Sequence, residues 1–270
     1  MRVRTLFLVG FAAAVIAGAP AASASPPLPT SIAAIGDSIT RATDVCCWYG
    51  DHPAQSWSTG DDPSDAISSH YERLLALNPE ISGHNYNDSR AGAKMRDAEG
   101  QAQTAVAQQA AYVTILMGAN DVCASSPSAM TSVADYRAQF TSAMNTLAAG
   151  LPAGAHVFVS SIPNVYQLWK LLHDNSNARY IWWAARICQS MLSPYNTELD
   201  RLFVLAREQA FNQVLADVCS QYAICRFDGG AVFNHQFRTS NVSTLDYFHP
   251  SISGQAMLAT VTWERSWWAS

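Results

Sequence analysis

The sequence predicts an α/β protein, a three-layer α/β/α sandwich in which helices cover both faces of a mainly parallel five-stranded sheet. Three observations support this fold class. Short apolar runs recur that are too short for helices and suit strands buried on both faces. Longer stretches of helical character separate these runs. Strands and helices that alternate along a chain form crossover units, which build a parallel sheet between two helical layers.

Five apolar runs are predicted strands. They are residues 31–35, a weaker run at 84–87, 112–117, 156–160 and 223–227. Helices are predicted at 98–110, which is rich in Ala and Gln, at 132–149 and at 198–218. A closing helix is predicted over 251–268, directly after Pro250, because the missing N–H of proline costs nothing at a helix start.

The first 24 residues have the pattern of a secretory signal peptide. Arg2 and Arg4 form a basic start, and residues 6–17 form an apolar stretch too short for a comfortable membrane span. Ala22-Ser23-Ala24 is a small-residue cleavage signal. We therefore predict a signal peptide over 1–24 and a single domain over 25–270 that is secreted into the extracellular space.

The charge of the chain argues against nucleic acid as a partner. The chain has 16 basic and 21 acidic residues, a formal net charge of −5, and both signs are scattered along it. A nucleic-acid-binding protein is expected to concentrate basic residues on one face. We expect a monomer that binds no nucleic acid.

The six cysteines are expected to form disulfides, because the chain is predicted to be exported and the spacings match no zinc-binding pattern. Cys219 and Cys225 could staple a short turn before the last strand. Cys46 and Cys47 are adjacent and would be strained if joined to each other, so at least one of them is expected to pair with a distant partner.

Polar residues follow several of the predicted strands. Ser38 comes after the first strand, residues 89–92 after the second, residues 118–121 after the third and residues 246–250 after the last. Catalytic groups of such sheets gather at the carboxyl ends of the strands, so these segments should share one edge. Ser38 has two interpretations at this stage, a helix N-cap or a nucleophile held at a strand-to-helix corner.

Three side chains in these segments are suited to acyl transfer. The hydroxyl of Ser38 is a poor nucleophile until a base removes its proton, and His249 titrates in the range that allows this near neutral pH. Asp246, three residues before His249, can fix the imidazole tautomer and stabilise the imidazolium. A triad is recognised by its geometry, so the order Ser, Asp, His along the chain is compatible with one.

In its motifs the chain resembles the SGNH hydrolases, also called the GDSL lipase/esterase family. The matching blocks, in the family order, are Gly36-Asp37-Ser38, Gly92 within residues 89–93, Gly118-Ala119-Asn120-Asp121 and Asp246-Tyr247-Phe248-His249. Blocks spread over most of the chain are a more specific signal than a lone GDS triplet. The resemblance implies an SGNH, flavodoxin-like α/β/α fold and a serine esterase or lipase.

The resemblance also implies roles for particular residues. Ser38, Asp246 and His249 would form the catalytic triad. The backbone N–H groups of Ser38 and Gly92, with the side-chain amide of Asn120, would form the oxyanion hole. Some family members orient the histidine with a backbone carbonyl instead, so the role of Asp246 stays open. The implied reaction is hydrolysis through an acyl-enzyme, without a metal or a cofactor.

Other acids and histidines have structural interpretations. Asp37 is interpreted as a brace of the turn at Ser38, with a role as the triad acid as the alternative. Asp121 is interpreted as a helix cap or a brace beneath Asn120. The remaining histidines lack a comparable sequence context and are interpreted as core or surface residues. They are His52, His70, His84, His156, His173 and His235.

Aromatic residues near the expected cleft favour lipid acyl esters as substrates, including phospholipids and acylglycerols, with transient contact with lipid aggregates. Residues 164–183 and the trio Trp48, Tyr49 and Trp57 could line an acyl groove or pack in the core. One alternative is a carbohydrate O-deacetylase, in which aromatic rings would stack on sugars. The other is a non-catalytic lipid- or sugar-binding protein, which would not need a nucleophile and a base together.

Overall fold

The computed structural model describes residues 1, 3 and 25–269. The predicted signal peptide falls almost entirely on residues 2 and 4–24, which lie outside the described residues. Within the part of the chain that is described, no helix is both long enough and apolar enough to cross a membrane.

All of the predicted strands are present and form one parallel sheet. They are β1 Ile32–Gly36, β2 Asn85–Asn87, β3 Tyr112–Leu116, β4 His156–Val159 and β5 Cys225–Phe227. Their order across the sheet is β2-β1-β3-β4-β5, and every neighbouring pair runs parallel. The predicted fold class, a parallel five-stranded α/β/α sandwich, is confirmed.

Helices cover the sheet. Those before β4 are α1 His70–Leu77, α2 Ala98–Ala107, α3 Ala119–Val122 and α4 Val133–Gly150. Those after β4 are α5 Val165–Leu172, α6 Ser176–Ala184, α7 Gln189–Leu192, α8 Glu198–Cys219, α9 Ala231–Asn234 and α10 Ile252–Trp263. Side-chain caps start the two longest helices: Ser132 accepts from Asp135 N–H at α4, and Thr197 accepts from Asp200 N–H at α8.

The last predicted helix is shorter than the sequence pattern indicates. It ends at Trp263, where Ser266 N–H donates to the Trp263 carbonyl in a turn. The Trp268 ring then packs edge-on against Tyr112, with ring centroids 4.9 Å apart, and its indole N–H donates to the Pro26 carbonyl at 3.1 Å. These contacts hold residues 264–268 against the start of β3 instead of extending the helix.

The two faces of the sheet contribute to separate cores, because successive residues of a strand point to opposite faces. Ile35 and Val159 belong to the larger core, which includes residues of α2, α4 and α8. Ile32 and Phe158 belong to the smaller core, together with residues of α1 and α10. A parallel sheet buried on both faces explains why its strands are continuous apolar runs in the sequence.

The cysteines of the described chain form three disulfides. Cys219 pairs with Cys225, as predicted, and Cys123 pairs with Cys188. The prediction that Cys46 or Cys47 pairs with a distant partner is wrong, because these two residues are joined to each other. The loop that carries them has left-handed backbone at Asp44 (φ 54°) and Cys47 (φ 66°), and this fold of the loop brings the adjacent sulfurs together.

The two disulfides between separated residues should stabilise the fold unequally. A disulfide restricts the unfolded chain more when it closes a longer loop, and the sequence separations are 65 for Cys123–Cys188 and 6 for Cys219–Cys225. Replacement of both cysteines by serine should lower the free energy of unfolding by about 4 kcal/mol for the first pair and about 2 kcal/mol for the second. Urea unfolding of the two double variants measures this, and a larger loss for the short loop would contradict it.

Candidate active site

Ser38 lies on the turn that follows β1, and close packing around Gly36 fixes that turn. A Cβ at Gly36 would lie 2.8 Å from the Leu116 carbonyl oxygen, so no larger residue fits. The buried side chain of Gln101 in α2 accepts from the Gly36 N–H at 2.8 Å and donates to the Gly36 carbonyl at 3.0 Å. These contacts fix the end of β1 and therefore the position of Ser38, two residues later.

The chain after Ser38 forms turns and not a regular helix. The backbone is left-handed at Ala42 (φ 52°) and at Asp44 (φ 54°), which interrupts any helix over residues 38–44. Ser38 therefore caps no helix, and the structural interpretation of this serine as an N-cap is not supported.

His249 lies on the loop before α10 and contacts both Ser38 and Asp246. Its Nε2 is 2.8 Å from Ser38 Oγ, and its Nδ1 is 2.5 Å from Asp246 Oδ2. Asp246 Oδ1 accepts from the backbone N–H groups of Phe248 at 2.9 Å and of His249 at 3.0 Å, so the carboxylate is fixed by its own loop. The structure brings the three predicted triad residues together, with a side-chain carboxylate at Nδ1.

A buried glutamine of α10 links the loop that carries His249 to the turn that carries Ser38. Gln255 in the first turn of α10 is fully buried. Its amide N–H donates to the Ile39 carbonyl at 2.7 Å, and its amide oxygen accepts from Trp57 N–H at 3.0 Å. Ile39 is next to Ser38, so α10 holds His249 at a fixed distance from the serine.

The pKa of His249 is raised above its ordinary value. Burial acts to lower it, but the hydrogen bond and the negative charge of Asp246, with the charges of Asp44 and Asp37, outweigh burial. A raised pKa means that the protonated imidazole is stabilised in this position. That is the property required of a base that takes a proton from Ser38 and later returns it.

The segments that carry Gly92 and Asn120 are hydrogen-bonded to each other and to the end of β1. Arg90 N–H donates to the Gly36 carbonyl at 3.2 Å, and Asn120 Nδ2 donates to the Ala93 carbonyl at 3.0 Å. Residues 90–93 are thus tied on one side to the strand that precedes Ser38 and on the other to Asn120.

These segments offer unused hydrogen-bond donors. Within residues 25–269, the backbone N–H groups of Ser38 and Gly92 donate to no protein acceptor. Gly92 has φ +77°, a conformation that favours glycine, and a Cβ there would meet no neighbour, so the position is open. Asn120 Nδ2 uses one of its hydrogens on Ala93 and has a second available. Each of the three groups therefore has an N–H that no protein acceptor uses.

Asp37 and Asp121 contact backbone and hydroxyl groups of their own surroundings, whereas the carboxylate paired with His249 Nδ1 is that of Asp246. Asp37 Oδ1 accepts from Ile39 N–H at 2.9 Å. Asp121 accepts from Met95 N–H at 2.9 Å and from the Thr131 hydroxyl at 2.7 Å. Both contact patterns are those of braces, which the sequence predicted for Asp37 and left as one of two alternatives for Asp121.

The environment of Asp37 is unfavourable for its charge. The side chain is fully buried, and Oδ2 has no hydrogen-bond partner in the described chain. Burial raises the pKa of Asp37 to about 7, although the Ile39 N–H and the charge of His249 act to lower it. Burial also raises the pKa of Asp121.

An apolar groove opens beside His249. Its polar lining is Asn164, Asn241 and His249. Its apolar lining is Ile39, Ala119, Pro163, Val165, Leu168, Leu171, Phe237, Val242, Phe248 and Pro250. One wall is α5, and another is the loop that carries His249. The groove is suited to hold an apolar chain next to the imidazole.

The aromatic residues of the two candidate segments are divided between core and surface. Trp57 and Trp182 are fully buried, whereas Trp48, Tyr49 and Tyr180 are exposed. In the segment 164–183 the aliphatic positions of α5 line the groove, and none of its aromatic rings does so.

The six other histidines do not line the groove. His70 is fully buried, contacts the hydroxyls of Tyr112 at 3.0 Å and Thr262 at 2.8 Å, and has its pKa lowered to about 3 by burial. His156 packs against Trp267, and the side chain of His173 is partly exposed at the surface. Their interpretation as core or surface residues agrees with these positions.

Sequence reasoning missed one acidic residue beside the imidazole. Asp44 Oδ2 lies 3.9 Å from His249 Nδ1. Asp44 belongs to no motif, and its position depends on the fold of an irregular loop, so the sequence carries no signal for it.

The site and the fold together define a class of protein, the α/β proteins in which a serine, a histidine and a carboxylate meet at the carboxyl edge of a parallel sheet. Residues 32–261 match the family model described as GDSL-like Lipase/Acylhydrolase. The chain therefore belongs to the GDSL-like lipase and acylhydrolase family, as its motifs indicated, and that family is one of ester hydrolases. No protein in a comparison with curated sequences is a significant match.

Solved structures share the fold at low sequence identity. An α/β hydrolase enzyme from the metagenome of Lake Arreo, Spain, superposes with a TM-score of 0.54 at 14% identity, covering 88% of this chain and 94% of that one. The acetyl xylan esterase AlAXEase gives 0.52 at 13% identity, with 87% and 98% covered. A protein of Parabacteroides merdae described as a GDSL-like lipase gives 0.52 at 15% identity, with 90% and 98% covered. Identities this low establish the fold alone.

Asp37 should make the stability of the protein depend on pH. Its pKa is about 7 in the folded protein and 3.8 as the ordinary value, so the folded state binds the extra proton between these values and loses stability as pH rises through pH 4–7. The variant Asp37→Asn keeps an acceptor for Ile39 N–H without the charge. The unmodified protein should lose on the order of 3 kcal/mol of unfolding free energy across this pH range. Asp37→Asn should not show this loss. Urea unfolding at several pH values, with exposed Asp135→Asn as control, measures the difference, and parallel pH curves would contradict it.

Proposed function

We propose that the protein is a secreted serine carboxylester hydrolase that cleaves acyl esters of lipids. One observation carries the proposal: His249 is 2.8 Å from the Ser38 hydroxyl through Nε2 and 2.5 Å from the Asp246 carboxylate through Nδ1. This arrangement matches the requirement that a base contact the nucleophile and a third group orient the base. A protein that only bound lipids or sugars would have no use for it.

In the proposed reaction Ser38 Oγ attacks the ester carbonyl carbon while His249 Nε2 accepts the hydroxyl proton. The carbonyl electrons move to the oxygen, which accepts hydrogen bonds from the backbone N–H groups of Ser38 and Gly92 and from the Asn120 amide. Collapse of this intermediate breaks the ester bond, and the departing alkoxide takes the proton from His249. Water then loses a proton to His249 and attacks the acyl-enzyme. The bond between the acyl carbon and Ser38 Oγ breaks, Oγ takes the proton back from His249, and the carboxylic acid is released.

The apolar lining of the groove beside His249 supports the proposal that the acyl chain of a lipid ester binds in this groove. An apolar wall gains about 0.8 kcal/mol for each methylene that it removes from water. Exposed Trp48 and Tyr49 on the loop after Ser38, and exposed Tyr180 and Trp183 on α6, support transient contact with lipid aggregates. Acylglycerols and phospholipids both fit this description.

A carbohydrate O-deacetylase is the runner-up, because acetyl xylan esterases occur on the same fold. An acetyl group would contact few of the ten apolar residues that line the groove, so this lining favours a longer acyl chain. The predicted signal peptide over 1–24, secretion and the monomeric state belong to the proposal as well. Disulfides are typical of proteins exported to oxidising compartments, which supports secretion.

Removal of the nucleophile or the base should nearly abolish hydrolysis. We expect Ser38→Ala and His249→Ala to lose at least about 10⁴-fold in kcat/KM for p-nitrophenyl esters. Asn120→Ala should lose about 10²–10³-fold, because it removes one oxyanion donor. Asn145→Ala, which removes an exposed amide on α4, is the matched control and should keep full activity.

Covalent labelling tests the same assignment without substrate. A fluorophosphonate should modify Ser38 in the intact protein and leave Ser38→Ala unlabelled, as peptide mass spectrometry can show. Activity should persist in EDTA. Labelling at another serine, or loss of activity in EDTA with Ser38 unreactive, would overturn the mechanism.

Filling the groove should shorten the preferred acyl chain. In the unmodified protein kcat/KM should rise by up to about fourfold per methylene until the groove is full. Leu168→Trp places an indole in the groove, and we expect it to lower kcat/KM for dodecanoyl esters at least about tenfold while activity on acetyl esters stays within about twofold. Leu199→Trp, at a position 77% exposed on α8, is the matched control. A protein that prefers acetate and ignores Leu168→Trp would instead support the O-deacetylase.

A further inference from the structure

A second carboxylate lies close to the imidazole of His249. Asp44 Oδ2 is 3.9 Å from Nδ1, the same nitrogen that Asp246 contacts. The side chains of Asp44 and His249 are only 15% and 13% exposed. One carboxylate oxygen each of Asp44 and Asp246 and one ring nitrogen of His249 lie within 4.8 Å of one another. Solvent and salt screen the interaction between such close and mostly buried charges only weakly.

The loop that carries Asp44 is closed on itself. Asp44 N–H donates to the Gly50 carbonyl at 2.8 Å, and Gly50 N–H donates to Asp44 Oδ1 at 2.7 Å. The disulfide between Cys46 and Cys47 lies inside this closed loop. One carboxylate oxygen therefore serves the loop, and the other faces His249.

Two further hydrogen bonds attach this loop to the loop of His249. The Ser243 hydroxyl donates to the Asp44 carbonyl at 2.5 Å, and the Tyr49 hydroxyl donates to the Leu245 carbonyl at 2.9 Å. Both partners in the histidine loop lie within six residues of His249. The separation between Asp44 and His249 is thus fixed from both sides, as a role in catalysis would require.

We propose that Asp44 is a positioning residue for the reaction, whose carboxylate stabilises the imidazolium of His249 in parallel with Asp246. The inference rests on the proposed acyl transfer. His249 carries a positive charge between each pair of proton transfers, and a second negative charge 3.9 Å away lowers the energy of that state. The charged groups that act on His249 are Asp246 from its own loop, and Asp44 and Asp37 from the segment after β1.

The test is the pH profile of Asp44→Asn. The amide oxygen can still accept from Gly50 N–H, so the loop keeps its closing hydrogen bond while the charge is removed. The acid limb of kcat/KM follows loss of the proton from His249 in the free protein. Removal of a negative charge makes that loss easier, so the limb should move to lower pH by about 1 unit. Turnover on the plateau should fall about threefold to tenfold, because the imidazolium is less stabilised.

Asp51→Asn is the matched control. Asp51 holds the same loop by accepting from Arg41 Nε at 3.0 Å and from the Thr43 hydroxyl at 2.6 Å. If Asp44 acted only by shaping the loop, the two variants would lower turnover alike and leave the acid limb in place. That outcome would overturn the proposal.

A double-mutant cycle with Asp246→Ala provides an independent measurement. Once Asp246 is gone, Asp44 is the remaining carboxylate within 4 Å of Nδ1 in the described chain. Asp44→Asn should then lower activity by a larger factor in the Asp246→Ala variant than in the unmodified protein. Strictly multiplicative losses would contradict shared stabilisation. Failure of the proposed function is distinguishable, because it would appear as full activity in Ser38→Ala, whatever the behaviour of Asp44.

Discussion

The hydrogen bond between Ser38 and His249 joins residues 211 positions apart, and the remaining features of the site depend on it. The parallel sheet supplies one half of this contact, because β1 lies inside the sheet and delivers Ser38 at its carboxyl edge. The other half comes from α10, which begins shortly after His249 and is tied through Gln255 to the Ile39 carbonyl. Hydrogen bonds of a buried amide hold such a contact firmly, because loss of either partner leaves a buried polar group without a hydrogen bond.

The polar interior at this edge opposes the stability that the two cores supply. Asp37 is fully buried with one oxygen unpaired, and burial raises the pKa of Asp37 and Asp121. Burial of a carboxylate with an unpaired oxygen costs free energy, so such a residue is expected where it does something that an apolar residue cannot do. Asp37 fixes the Ser38 turn and Asp121 links the segments of Met95 and Asn120, so the cost is located where the geometry of donors and nucleophile must be fixed.

The sequence predicted the fold and the meeting of Ser38, Asp246 and His249 better than it predicted their surroundings. Apolar runs such as 112–117 reflect burial on both faces, which is a local pattern, and the motif residues lie where strand ends require them to lie. Burial of Trp57 against exposure of Trp48 is a tertiary property with no local signal. The same holds for the end of α10, which Trp268 packing determines, and for Asp44, whose position follows from left-handed backbone in an irregular loop. The pairing of Cys46 with Cys47 was mispredicted for the same reason.

The groove is linked to the segment that carries Asn120, one of the proposed oxyanion donors. Cys123 lies three residues after Asn120 and is bonded to Cys188, which follows the segment that contains α5 and α6. Ser190 N–H donates to the Ala124 carbonyl at 2.9 Å, and the Ser190 hydroxyl donates to the Val122 carbonyl at 2.5 Å. The segment that supplies one wall of the groove is therefore anchored to the segment that supplies Asn120. If the proposed acyl chain contacts Leu168 and Leu171, the disulfide and these hydrogen bonds limit how far that contact can move relative to Asn120.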